Sequence, residues 1–175
     1  KFSESKRENS SAKFIAVTGS AGKTTVKTMI GDLLKKYSKT YYSPQSFNNH
    51  YGVPLSLSNI DPDLSFGVFE VGMSKINEIN KLSSLVKPEI GIITNISEAH
   101  LENFPNIFGI AKAKSEIIPN IKEGGTIILN RDDKFFNFLN KVAIKNKIKV
   151  RSFGYSKLSD IKFISTKKKK NDFFL

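Results

Sequence analysis

Cysteine is absent from the 175 residues. That removes disulfides, thiolate zinc sites and cysteine nucleophiles together. Long apolar runs are missing too: none approaches the ~20 residues needed to cross a bilayer. The opening Lys1–Lys13 is polar and lacks the apolar segment of a signal peptide. No membrane partner is expected, and a cytoplasmic protein is the simplest reading. Acidic residues are scarce, 16 against 28 Lys and Arg, for a net charge of +12. Such an excess raises nucleic-acid binding as an option. The basic residues are spread along the chain, however, and the one dense run, Lys167–Lys170, is more simply a solvated turn. A lysine-rich chain with a small anionic ligand, and no nucleic acid, is therefore expected. Internal repeats are also absent.

What is present suits one α/β domain with a core of its own. Phe14–Thr18 is a short apolar run, read as a buried strand. Val26, Met29, Ile30, Leu33, Leu34 and Tyr37 follow at helical spacing, with Gly31 as a weak point inside the helix. Lys39–Ser43 is read as a short strand and Pro44–Pro54 as a polar loop. Phe66–Phe69 is a second buried strand, ending at Glu70. Ile76, Ile79, Leu82 and Val86 mark a helix closed by Pro88, and Glu89–Thr94 is a third buried strand. A helix is expected near Asn106–Ile118, a strand at Thr126–Leu129, and a helix capped by Asp132 or Asp133 that runs to about Lys145. Lys149–Phe153 is one more strand. Ile161–Ser165 and Asp172–Leu175 are expected to form a small C-terminal β-hairpin with the lysine run at its turn. This alternation predicts a mostly parallel sheet with helices on both faces. Ligands gather at the C-terminal ends of such strands.

Gly19-Ser20-Ala21-Gly22-Lys23-Thr24-Thr25 joins the first strand to the first long helix. Its glycines let backbone N–H groups turn inward around phosphate, and the helix N-terminus favours negative charge. Lys23 is placed to reach the β- and γ-phosphates, and the Thr24 hydroxyl to bind Mg²⁺. The general phosphate-loop pattern wants a glycine where Val17 stands; this is the shorter G-x-x-G-K-T-T.

Three further groups draw notice. Glu70 directly follows a buried strand, where a carboxylate beside a phosphate loop is a natural Mg²⁺ ligand. His100 ends Thr94-Asn95-Ile96-Ser97-Glu98-Ala99-His100 at the same sheet edge. It is either a metal or substrate group or a hydrogen-bonding surface residue. His50 has weaker support, and Glu98 is read as an exposed loop carboxylate. Lys114 is the third. At ~100° per residue, Ile107, Ile110, Ala111, Lys114 and Ile118 share one stripe of their helix, and Lys112 points away. An inward ammonium must snorkel, find an anion, or lose its proton and become a reactive amine.

Together these residues resemble the Mur ligases and the related folylpolyglutamate synthetases. Thr18–Thr25 is similar to their nucleotide loop and Asn95–His100 to their metal-site loop. Phe47-Asn48-Asn49-His50-Tyr51-Gly52-Val53-Pro54, Glu70-Val71-Gly72-Met73 and Ala111-Lys112-Ala113-Lys114-Ser115-Glu116-Ile117 narrow the likeness. It is greatest to the members that add D-alanyl-D-alanine to UDP-MurNAc-tripeptide, with another Mur or folylpolyglutamate-type ligase as the alternative. It runs from about Lys13 to Asp133 and is thin beyond. A GTPase would show an Asn-Lys-x-Asp guanine motif, which the chain lacks.

The resemblance implies a P-loop-like central domain of an ATP-dependent amide ligase that works through an acyl phosphate. It implies that Gly19, Ser20, Ala21, Gly22, Lys23, Thr24 and Thr25 bind ATP. Thr24 and Glu70 would hold one Mg²⁺ and His100 would help hold a second. Lys114 matches the family lysine that becomes a carbamate, and Asn49 an asparagine near nucleotide and substrate. Residues 1–12 are expected as a polar lead-in and 13–175 as an incomplete central domain, without its N- and C-terminal companions. The chain begins at Lys1 rather than Met and is read as a piece of a longer protein. A monomer that keeps a nucleotide site but does not ligate alone is the expectation.

Overall fold

The computed structural model describes residues 1–98 and 103–165, and the backbone of 167–169 and 172–174. Its centre is a seven-stranded sheet. The strands are β1 (Lys13–Thr18), β2 (Thr40–Tyr42), β3 (Phe66–Glu70), β4 (Ile90–Ile93), β5 (Thr126–Asn130), β6 (Lys149–Gly154) and β7 (Ile161–Lys162). They lie in the order β2-β3-β1-β4-β5-β6-β7. Every pairing is parallel. Parallel neighbours need crossovers, and six helices are described along the chain: α1 (Phe2–Glu8), α2 (Lys23–Lys35), α3 (Gly52–Ser58), α4 (Glu78–Val86), α5 (Ile107–Ser115) and α6 (Phe136–Lys145).

The period of two along β1 sorts the core into two faces. Phe14 and Ala16 join the larger cluster, where α3, α4, α5 and α6 contribute Leu57, Ile79, Ile110 and Leu139. Phe14 and Phe69 stack there with ring centres 5.5 Å apart. Ile15 and Val17 face the other way, toward Val26, Ile30 and Leu34 of α2. The expected stripe on α2 therefore divides: Met29, Leu33 and Tyr37 are exposed. Gly31 is a requirement rather than a weak point, because a Cβ there would sit 2.1 Å from Tyr42 Cδ1.

Other expectations change in detail. The loop 44–54 contains the start of α3, whose first turn tolerates Pro54. α4 begins at Glu78, and Ile76 lies outside it, exposed. α5 stops at Ser115, and a 3-10 turn covers Ile118–Asn120. Ile161–Lys162 extends the main sheet as β7, so it is not a hairpin strand. The C-terminal hairpin pairs β8 (Lys167–Lys169) with β9 (Asp172–Phe174), which puts three of the lysines in a strand and not in the turn.

The opening segment carries α1, whose buried anchor is Arg7. Arg7 is buried, with its guanidinium 3.9 Å from the centre of the Phe14 ring. It donates to Val86 O at 2.5 Å and to Lys87 O at 2.8 Å, the carbonyls at the end of α4. Among the described residues no helix is long and apolar enough to cross a membrane.

Candidate active site

β1 lies between β3 and β4, so the loop after β1 opens at the middle of the sheet edge. Gly19 holds φ +146°, and a Cβ there would stand 1.9 Å from Thr94 Oγ1. Only glycine suits that backbone and that space. The loop is laced to the segment after β4. Ser20 N donates to Asn95 O at 2.9 Å, and Ala21 N to Asn95 Oδ1 at 3.0 Å. Thr94 Oγ1 donates to Ala21 O at 2.6 Å, and Ser97 N to Ser20 Oγ at 2.9 Å. Lys23 turns back on the loop, its Nζ 3.0 Å from Gly19 O. α2 begins at Lys23, so its free N–H groups face the loop.

Beside the loop, Thr24 and Glu70 form a pair. Thr24 Oγ1 donates to Glu70 Oε2 at 2.7 Å, and Glu70 is 1% exposed. Asn48 Nδ2 donates to the other oxygen, Oε1, at 2.7 Å. Ser46 Oγ lies 3.3 Å from Thr24 Oγ1. A hydroxyl and a carboxylate held together at a strand tip are hard oxygen donors of the kind Mg²⁺ takes alongside phosphate and water. Among the described residues no cluster of three or more His, Cys, Asp or Glu is present.

A cavity of about 350 Å³ adjoins the pair. Lys23 and Lys81 supply its positive groups, Glu78 a negative one, Lys114 an amine, His50 an imidazole and Asn49 an amide. Lys114 is 2% exposed, and burial, with the neighbouring Lys23 charge, brings its pKa down from 10.5 to about 7. Among the described residues no acceptor lies within hydrogen-bonding distance of its Nζ. Glu78 accepts from Ser74 N at 2.6 Å and Lys75 N at 3.1 Å, and these bonds lower its pKa. Glu116, two residues past Lys114, accepts from Asn77 N at 2.7 Å and Asn80 N at 3.1 Å, closing the first turn of α4.

The structure thus brings Gly19–Thr25, Glu70, Asn49 and Lys114 to one edge. Asn49 Oδ1 is committed to Tyr51 N and Gly52 N at the start of α3, and Thr25 is exposed. Glu98 is exposed as expected, and His50 leans on Tyr51 with ring centres 4.1 Å apart. His100 lies outside the described residues. Asn48, Asn95 and Lys27 join this site through contacts that no motif assigns to them. Lys27 had a usable signal: it stands three residues before Ile30 and four before Gly31, on the inward side of α2.

A phosphate loop between an inner strand of a parallel sheet and a helix, with a hydroxyl–carboxylate pair at its flank, defines the phosphate-loop class of α/β domains. Within that class the chain belongs to the Mur ligase middle domain family, whose pattern matches residues 17–175. It is 40% identical over 163 residues to the UDP-N-acetylmuramoyl-tripeptide–D-alanyl-D-alanine ligase of Rickettsia prowazekii, covering 91% of this chain and 36% of that protein. A crystal structure of MurF from Acinetobacter baumannii superposes with a TM-score of 0.87 at 33% identity, over 94% of this chain and 35% of that one. MurF ligase from Thermotoga maritima in complex with ADP gives 0.88 at 29%, over 98% and 39%. The chain spans between a third and two-fifths of the length of these relatives.

Proposed function

We propose that this chain is the ATP-binding middle domain of an amide ligase that adds D-alanyl-D-alanine to UDP-MurNAc-tripeptide in peptidoglycan synthesis. One observation carries the reading: the phosphate-loop Lys23 and the buried amine of Lys114 line the same cavity, next to the Thr24–Glu70 pair. The names and identities of the relatives support the particular reaction.

In this reading residues 13–175 make the domain, and one copy suffices. Lys23 leaves the carbonyls of its own loop and holds the γ-phosphate, while the N-terminus of α2 faces the phosphate chain. Thr24 and Glu70 hold Mg²⁺, which neutralises charge on the transferring phosphoryl group. The tripeptide carboxylate attacks the γ-phosphorus, the bond to the β-phosphate oxygen breaks so that ADP leaves, and an acyl phosphate forms. The amine of D-alanyl-D-alanine attacks its carbonyl carbon, and the resulting tetrahedral intermediate loses a proton from nitrogen and expels phosphate. His100 remains in this proposal as a contributor to a second ion. Lys114, as a neutral amine, adds through nitrogen to the carbon of CO₂ and loses a proton. The resulting carbamate is an anion suited to orienting the metal or the γ-phosphate.

Calorimetry of Mg²⁺-dependent ATP binding, on folded wild type and Lys23→Ala, tests the reading. Binding by the wild type and its loss, tenfold or more, in the variant is expected. Equal binding by both would sink the assignment of the loop. Ligation by the 175-residue chain alone is not expected, since most of the length of its relatives has no counterpart in it.

A further inference from the structure

Lys27 is an ammonium ion with 1% exposure, on the face of α2 that Gly31 presses against Tyr42. Its Nζ donates to Ser43 O at 2.6 Å and to Gln45 O. Both carbonyls belong to the short segment between β2 and α3. The same segment grips the Thr24–Glu70 pair from three points. Ser43 Oγ accepts from Glu70 N at 3.3 Å, Ser46 Oγ reaches Thr24 Oγ1, and Asn48 Nδ2 holds Glu70 Oε1. Gln45, at the centre, has φ +43°, a conformation costly for a residue with a side chain. Something must hold it there.

An apolar residue at position 27 could fill the space but could not draw two carbonyls inward. A cation can, and it also sets positive charge near Glu70. With the carbonyls of 43 and 45 turned in toward Lys27, the side chains of Ser46 and Asn48 are left to face the pair. We infer that Lys27 is a positioning residue for the metal site: it shapes the 43–48 segment so that Ser46 and Asn48 fix the hydroxyl of Thr24 and the carboxylate of Glu70 for Mg²⁺. This rests on the reading that Thr24 and Glu70 hold the ion.

The test is a calorimetric titration of Mg²⁺ into the 175-residue chain saturated with ATP, alongside ATP binding in EDTA. Lys27→Met is compared with wild type, with Thr24→Val, and with the double variant Ser46→Ala/Asn48→Ala. Groups one shell out from a metal are commonly worth ten- to a hundredfold in its affinity. Lys27→Met and the double variant should each weaken Mg²⁺ about tenfold, with metal-free ATP affinity unchanged within about twofold. If Lys27→Met does not fold, the double variant decides, since it cuts the same grip with Lys27 in place. Unchanged Mg²⁺ affinity in a folded Lys27→Met, or in the double variant, overturns the inference. Should Thr24→Val also leave Mg²⁺ affinity unchanged, the metal reading itself fails and takes the inference with it.

Discussion

Lys27 and Lys114 are 1% and 2% exposed, and each has its pKa lowered by burial. Their surroundings then diverge. Lys27 meets two carbonyl oxygens and the charge of Glu70, which opposes part of that lowering. Lys114 meets Lys23, which lowers its pKa further, and has no described acceptor. The first is a paired ammonium and serves as a strut. The second is half deprotonated near neutral pH and opens on a cavity. Burial alone therefore does not make a lysine reactive; what decides is whether the fold also supplies acceptors.

Removing each charge should move stability in opposite directions. The folded pKa of Lys114, about 7, lies below the ordinary 10.5. Between those values the unfolded chain binds more protons, so stability rises with pH across that window. Below it the full cost of the buried ammonium is present, roughly 3–5 kcal/mol. Denaturant titrations of Lys114→Met should show a more stable domain by about that amount at low pH, and a flatter profile from 7 to 10.5. A profile parallel to wild type would mean that the amine keeps its proton.

Lys27→Met should instead destabilise, by about 1–3 kcal/mol, because the carbonyls of Ser43 and Gln45 lose their donor. The same denaturant titration reads it. A neutral or stabilising result would make Lys27 an expendable ion and erase the contrast. A chemical test is finer still. With ¹³C-bicarbonate near pH 8, a carbamate carbon signal is expected from wild type and Lys27→Arg, and its loss from Lys114→Met. Survival of the signal in Lys114→Met would assign it to another amine.

The inward turn of Lys114 was legible because its neighbours Ile107, Ile110, Ala111 and Ile118 draw a clean apolar stripe. Lys27 obeys the same geometry with Ile30, Gly31 and Leu34, but Met29 and Leu33 on the outer side blur the stripe. The apolar runs of β1, β3 and β4 and the loop after β1 were plain, since fully buried parallel strands admit few polar residues. α3 was hidden by Pro54 and by the polar residues ahead of it. α1 was hidden because a polar helix anchored through a buried arginine and surface polar contacts leaves no apolar periodic trace. Asn48 carried no local signal, as its partner Glu70 is 22 residues away.

α4 is fastened at both ends. Glu116 closes its first turn, and Arg7 takes the carbonyls of Val86 and Lys87 at its last. A rod clamped this way resists fraying at either tip, and it carries Glu78, Lys81 and Leu82 into the cavity wall. That wall is a fixed fence.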